Sequence, residues 1–378
     1  MHDPEEIIFG DQNYYRIPAL IYIKEWKKFL AFAEKRSSAK DEDAMHLVMR
    51  TGMREKESVK WSPMKELTKA KKTGYRTMNP CPVFESSTCT LFLFFICIKG
   101  KIKEAYLKPG QTRLCYVTIK DGGKKLGKLK DVTEKVVGIK LLQYKTFAVG
   151  PGHGIEGGKE DGGSTRLLVP AYVTSTNRRS HSLVLYSTDQ GKKWQAGQQL
   201  SRECGECQVA EVRVNGGTDA YLYCSARSFG KGAKQVRLEA LSDNMGGSFT
   251  RLQSLCLTET PHGCQGSVLA LAASSAGPCS SWLLFSHPTR GHEWERRDLG
   301  VRLRESLQDG GSGDVRPWSE PYVIHSGVSG YSDLAQTEEG ELFGCLMECG
   351  ESTKTQIVYK EFLLSEIKNQ LIQSQTAN

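Results

Sequence analysis

Six short, nearly uninterrupted apolar runs punctuate the chain: Phe29–Ala33, Leu91–Ile98, Leu167–Val173, Tyr221–Ala226, Trp282–Ser286 and Leu342–Met347. They recur at intervals of roughly sixty residues, a period that marks a repeat. Runs of this length, bounded by turn residues, read as strands buried on both faces. Each is preceded by another strand-like segment, starting near Tyr15, Met78, Phe147, Cys207, Cys264 and Tyr331.

A second pattern runs out of phase with the first. Trp61, Leu126, Trp194, Phe249 and Trp318 each have an aliphatic residue six positions later: Leu67, Val132, Leu200, Leu255 and Ile324. Two of them close a polar turn of matched spacing, Ser187-x-Asp189-x-Gly191-x-Lys193-Trp194 and Ser242-x-Asn244-x-Gly246-x-Ser248-Phe249. Glycine permits the tight turn, Asp or Asn bonds nearby backbone, and the aromatic anchors the turn in the core. A third copy at Asp121, Gly123 and Leu126 lacks the serine and the aromatic. The repeat predicts an all-β, six-bladed β-propeller of four-stranded antiparallel blades, a single domain over residues 1–378. Gly150–Gly163 is glycine-rich without a following Gly-Lys-Ser/Thr, so it reads as turns and not as a phosphate loop. Ala270–Ser281 and Asp309–Asp314 read as loops, and Phe362–Leu371 as a short amphipathic helix suited to a membrane surface.

Composition narrows the function classes. Lys+Arg 51 against Asp+Glu 43 gives a net charge of +8, which suits an anionic small substrate or an anionic lipid surface. Lysines and arginines are not blocked together with aromatics, which argues against nucleic acid. The N-terminal MHDPEEII has neither a basic nor an apolar signal region, and the longest apolar run is far too short to span a bilayer. The twelve cysteines are therefore expected as thiols in a reducing compartment. Cys204 with Cys207, and Cys345 with Cys349, have no second cysteine pair or paired histidines to complete a zinc site, so no metal is expected.

In a propeller the innermost strands converge on one axial site, and so do the polar residues they carry. Here these are Arg16, Glu211, Arg227, the Arg296–Arg297 pair, Tyr331 and Glu348, with Asp41 and Glu104 on adjoining loops. Several arginines on one face imply a carboxylate or phosphate ligand, which guanidinium forks grip in pairs.

The motifs that carry these residues resemble the animal exo-sialidases. YRIPAL, AFAEKRSSAKDEDA, MNPCPVFE, FLFFICI, TFAVGPGHG, ECQVAEV, YCSAR, PHGCQGSV, SHPT, GYSDLA and LFGCLMECG fall in order over nearly the whole chain. The membrane-associated ganglioside branch looks nearer than the cytosolic branch. The resemblance implies a triad Arg16, Arg227 and Arg296 for the substrate carboxylate, with Glu348 holding Arg16. It implies Tyr331 as nucleophile, Glu211 as its base and Asp41 as acid/base, and it places Arg36, Met78, Glu104 and Tyr172 around the sugar ring. Arg296 is preferred to Arg297 because it stands two residues before Asp-Leu-Gly.

These residue types suit the chemistry. Sialic acid carries a carboxylate on its anomeric carbon, and a carboxylate nucleophile would be repelled by it. A neutral phenol avoids that repulsion but needs a base, because its ordinary pKa is about 10. The expected activity is a retaining exo-α-sialidase acting on gangliosides through a tyrosyl intermediate. The alternatives are a generalist cytosolic sialidase for glycoproteins and oligosaccharides, or a silent sialic-acid-binding propeller. No cofactor is expected. The expected partners are a sialylated glycolipid or glycoprotein and, peripherally, a membrane surface, with a peripheral membrane or cytoplasmic location.

Overall fold

The computed structural model describes residues 5–159, 165–214, 219–229, 235–252, 257–271, 281–305, 307, 317–350 and 356–376. The predicted loop segments 272–280 and 309–314, and Leu255, lie outside the described residues. The chain is all-β apart from short helical turns and a C-terminal helix, Leu364–Thr376.

Among the described residues the strands form five antiparallel sheets in chain order. The first runs Tyr14–Ile23, Lys28–Arg36, Ala44–Glu55, Ser58–Trp61. The second runs Tyr75–Glu85, Thr90–Lys99, Thr112–Lys120, Lys125–Leu126. The third runs Tyr144–Val149, Thr165–Ser175, Ser180–Ser187, Gln195–Ala196, and the fourth Cys207–Val214, Asp219–Ala226, Leu238–Ser242, Thr250–Arg251. These are four-stranded meanders in a propeller-like arrangement, three of them with one extra short strand alongside.

The sheet count departs from the predicted six. The fifth sheet has seven strands, because Tyr322–Gln336 runs unbroken through two pairings. Its first half pairs with Glu295–Arg304, from Val301 opposite Tyr322 to Arg297 opposite Val328. Its second half pairs with Leu342–Cys349, with a register break between Ser329 and Ser332. The N-terminal strand Glu6–Phe9 joins the same sheet beside Gln356–Leu363, so the chain's start closes onto its end.

The six apolar runs are the second strands of their groups, covered on both faces by neighbouring sheets, which is why they do not alternate. Phe94 meets Trp194 edge to face with ring centroids 4.6 Å apart, joining the second sheet to the third. Such pairs contribute about 0.5–1.5 kcal/mol beyond the area they bury. Both polar turns form as the spacing predicts. Ser187 Oγ accepts Gly191 N–H at 2.9 Å, and Asp189 Oδ1 accepts Lys193 N–H at 2.8 Å. Ser242 and Asn244 repeat the pattern with Gly246 and Ser248, at 2.8 and 2.9 Å.

The C-terminal helix is not a free amphipathic segment. Leu364 and Ile367 are fully buried with Phe343, Val358 and Phe362, so its apolar face is covered by the last sheet. No helix among the described residues is long and apolar enough to cross a membrane.

Candidate active site

The polar residues gather where innermost strands begin and second strands end. Arg16 and Met78 open innermost strands, and Tyr331 opens the inner half of its long strand. Arg36 and Glu348 end second strands, and Arg227 follows one directly. This one rule of position places most of the site.

Glu348 is fully buried and organises the first arginine. Its carboxylate accepts Arg16 Nε at 2.9 Å and Nη2 at 3.2 Å, and also Ile17 N–H at 2.9 Å and Tyr331 N–H at 3.1 Å. Ile17 has φ of 59°, which a β-branched residue rarely adopts, at a register break in its strand. Such strain costs on the order of 1–3 kcal/mol and needs compensation from its surroundings. Glu348 supplies it at the residue that follows Arg16. The next sheet repeats the device: buried Glu34 accepts Asn79 N–H at 2.7 Å, with Asn79 at φ 57°, and pairs with Arg36.

Tyr331 is 6% exposed and lies among the three predicted arginines. Arg16 and Arg296 sit over its ring, 5.3 and 5.7 Å from the centroid. Arg227 Nη1 donates to its hydroxyl at 3.0 Å. Arg227 Nη2 is held by His262 O at 2.9 Å and Arg296 Nη2 by Gly263 O at 2.7 Å, so one short loop fixes two of the three. That loop is itself anchored by buried Glu259, which accepts Cys264 N–H at 3.0 Å, Arg237 Nη1 at 2.9 Å and His287 Nε2 at 2.8 Å. Arg297 instead points outward to Glu295 at 2.8 Å, half exposed, so of the pair Arg296 is the one beside Tyr331.

The carboxylate beside the phenol is not the one expected from the sequence. The carboxylate on Tyr331 belongs to Glu206, whose Oε1 accepts the phenol at 2.5 Å while Oε2 accepts Arg227 Nη1 at 2.8 Å. Glu211 bonds Gly158 N–H and Arg213 and does not reach the phenol. The reason is strand geometry: Glu206 precedes the strand Cys207–Val214 at its site end, and Glu211 lies about 16 Å farther along, at about 3.3 Å per residue. Both glutamates stand in ECQVAEV, and the positional rule above selects the first.

Asp41 lies in a short turn, Asp41–Asp43, with its side chain 58% exposed, and accepts Arg36 Nη1 at 2.6 Å. Its partial desolvation works to raise its pKa, but the guanidiniums of Arg36 and Arg16 outweigh that and hold it below the usual carboxylate range. Burial, and then the charge of Glu206, push the Tyr331 phenol well above its ordinary value, against the pull of Arg227 and Arg296. Glu104, Tyr172, Glu206 and Arg227 line one pocket of about 410 Å³, together with Lys145, Thr174 and Phe229. Glu104 is exposed at the pocket's rim, yet desolvation on its cleft side, with Asp41 and Glu206 nearby, raises its pKa. Met78 is buried beside Arg76, whose Nε approaches its sulfur at 3.3 Å.

The fold is shared with solved sialidases. The leech intramolecular trans-sialidase matches with a TM-score of 0.77 at 16% identity, over 97% of this chain and 71% of that one. The intramolecular trans-sialidase from Ruminococcus gnavus gives 0.75 at 16%, over 95% and 97%. A BNR repeat-like domain matches residues 27–343. Human Sialidase-3 is 41% identical over 94% of this chain and 91% of its own, and mouse Sialidase-2 is 39% identical over 93% of both. The chain belongs to the animal sialidases and is a glycoside hydrolase of that family.

Proposed function

We propose that this chain is a retaining exo-α-sialidase that removes terminal sialic acid, preferentially from gangliosides, through a covalent intermediate on Tyr331. In this reading residues 1–378 are one six-bladed propeller domain, with Tyr322–Gln336 ending one blade and opening the next. The observation that carries the proposal is the buried phenol bonded to Glu206 beneath three converging arginines.

Arg16, Arg227 and Arg296 take the substrate carboxylate and place the anomeric carbon over the Tyr331 oxygen. As that oxygen attacks, its proton passes to Glu206, so the nucleophile is neutral until bond formation begins. Asp41 protonates the departing glycosidic oxygen. It then takes a proton from the water that displaces Tyr331 from the tyrosyl ketal, while Glu206 returns its proton to the phenolate. Two displacements restore the starting configuration. The arginines balance the substrate's charge as the ring becomes cation-like. Arg36, Met78, Glu104 and Tyr172 face the ring substituents, and Glu348 keeps Arg16 in register.

A fluorinated sialosyl fluoride tests the intermediate: it is expected to leave a sialosyl mass on the peptide containing Tyr331. Labelling elsewhere, or none with turnover intact, overturns the assignment. Ganglioside preference, and peripheral contact with the membrane that presents it, are supported by the motif resemblance and the net charge of +8. Initial rates on ganglioside micelles are expected to exceed those on sialylated oligosaccharides. Equal rates per sialic acid would favour the generalist reading.

A further inference from the structure

Cys349 shows no zinc site in the sequence, because neither Cys345 nor any neighbouring residue completes one. The fold brings it other partners. Glu5, just before the N-terminal strand, and His325, in the first half of Tyr322–Gln336, each place a donor atom near its sulfur. The Cys349 sulfur, an imidazole nitrogen of His325 and a carboxylate oxygen of Glu5 all lie within 4.8 Å of one another. We propose that Glu5, His325 and Cys349 form a transition-metal site, suited to Zn²⁺, that ties the N-terminal strand to the sheet it closes.

The donor set is the first argument. A thiol, an imidazole and a carboxylate make a borderline-soft set that suits zinc and not calcium or magnesium. Tetrahedral zinc, with bonds of about 2.0–2.3 Å, needs its donors roughly 3.3–3.7 Å apart, so the His325 nitrogen and Glu5 oxygen, now 2.9 Å apart, open by a few tenths of an ångström as the Cys349 sulfur joins them.

The second argument concerns the imidazole. His325 Nε2 lies 3.3 Å from Val328 O, an acceptor for the ring proton in the Nε2–H tautomer. Nδ1 then turns an unprotonated lone pair toward Glu5, 2.9 and 3.0 Å from the two carboxylate oxygens. In that tautomer neither group has a proton to share, and a metal ion bound by both lone pairs satisfies them. A histidine whose far nitrogen donates to a carbonyl is the usual orientation of a metal ligand. Lys360 works against a cation, with Nζ 3.7 Å from Glu5 Oε1, but its ammonium is also committed to Ile324 O at 2.6 Å.

Position gives the site its consequence. Glu6 pairs with Tyr359 and Ser329 with Cys349, so the three ligands come from three separate segments of the closing sheet. A bound ion cross-links chain start to chain end, and it binds the folded protein better than the unfolded one.

The test uses the full chain, reduced and stripped with chelator, with Co²⁺ as the probe. A thiolate-to-cobalt charge-transfer band is expected at one equivalent per chain, bleached by one equivalent of Zn²⁺, with melting raised by several degrees. The band should vanish in Cys349→Ser and weaken at least tenfold in affinity in His325→Ala and Glu5→Gln, while Cys89→Ser, which removes an exposed thiol, leaves it unchanged. Hydrolysis of a soluble sialoside verifies that each variant is folded. Absence of the band, or a band that survives Cys349→Ser or is lost only in Cys89→Ser, overturns the proposal and leaves a histidine–carboxylate hydrogen bond. Glu5→Gln, an exposed change, keeps the test decisive if Cys349→Ser fails to fold.

Discussion

The Tyr331 phenol donates to Glu206 at 2.5 Å and accepts from Arg227 at 3.0 Å, so one oxygen bonds both the carboxylate and one of the three arginines. Glu206→Gln keeps the shape and removes the base. We expect kcat to fall by about 10²–10⁴, and Tyr331→Phe to lose turnover. Glu211→Gln should stay within a few-fold of the parent. Steady-state rates on a fluorogenic sialoside decide this, and equal losses in the two glutamate variants would refute the assignment to Glu206.

Arg296→Ala should lower kcat/KM by about 10²-fold or more, since it removes a charge-assisted grip on the substrate carboxylate. Arg297→Ala, which loses only a half-exposed pair with Glu295, should change it less than about twofold.

In the proposed mechanism Asp41 must be protonated to act as an acid, yet Arg36 and Arg16 hold its pKa down against burial. The alkaline limb of kcat/KM should therefore lie on the acid side. Removing Arg36 lets the Asp41 pKa rise, which moves that limb to higher pH. Glu34→Gln with Arg36→Met makes the change without stranding buried Glu34. A pH profile on a sialyl-oligosaccharide, whose leaving group needs the proton, reads the shift. A limb that stays in place assigns it to another group.

Glu259 is buried, which by itself raises its pKa, but Arg237 and His287 outweigh burial and hold it at about 2. Its folded value lies below the ordinary carboxylate value. Its contribution is thus complete above about pH 4.5 and is lost as pH falls toward 2, on the order of 3 kcal/mol in all. Glu259→Gln should flatten the acid dependence of stability over that window. It should also raise KM, because the loop carrying the His262 and Gly263 carbonyls loses its anchor. Denaturant midpoints between pH 2 and 6, with KM at neutral pH, measure both.

Much of the fold is legible from periodicity alone. The six apolar runs are buried second strands, and Ser187–Trp194 and Ser242–Phe249 form the turns their spacing demands. The merging of the last two predicted groups into one seven-stranded sheet was not legible, because nothing local distinguishes a strand that ends at Val328 from one that continues to Gln336. The apolar face of Leu364–Thr376 likewise declares a partner without saying whether that partner is lipid or the last sheet.

At the site the sequence by itself determined which residue types are present, because Arg16, Arg227 and Tyr331 interrupt or end apolar patterns where a charge or phenol has no core role, and Asp41 stands in the charged loop beside them. Tertiary structure decided which of them meet. Glu206 and Glu211 stand in one motif, and only the end of the strand that faces the axis separates base from outer ion pair. Arg296 and Arg297 are neighbours, and strand alternation sends one toward Tyr331 and the other to solvent. Cys349, His325 and Glu5 are distant in the chain and come together only because the first strand closes on the last sheet. Local pattern fixes what each segment must bury. Pairings between distant residues depend on ring closure, and no local pattern encodes them.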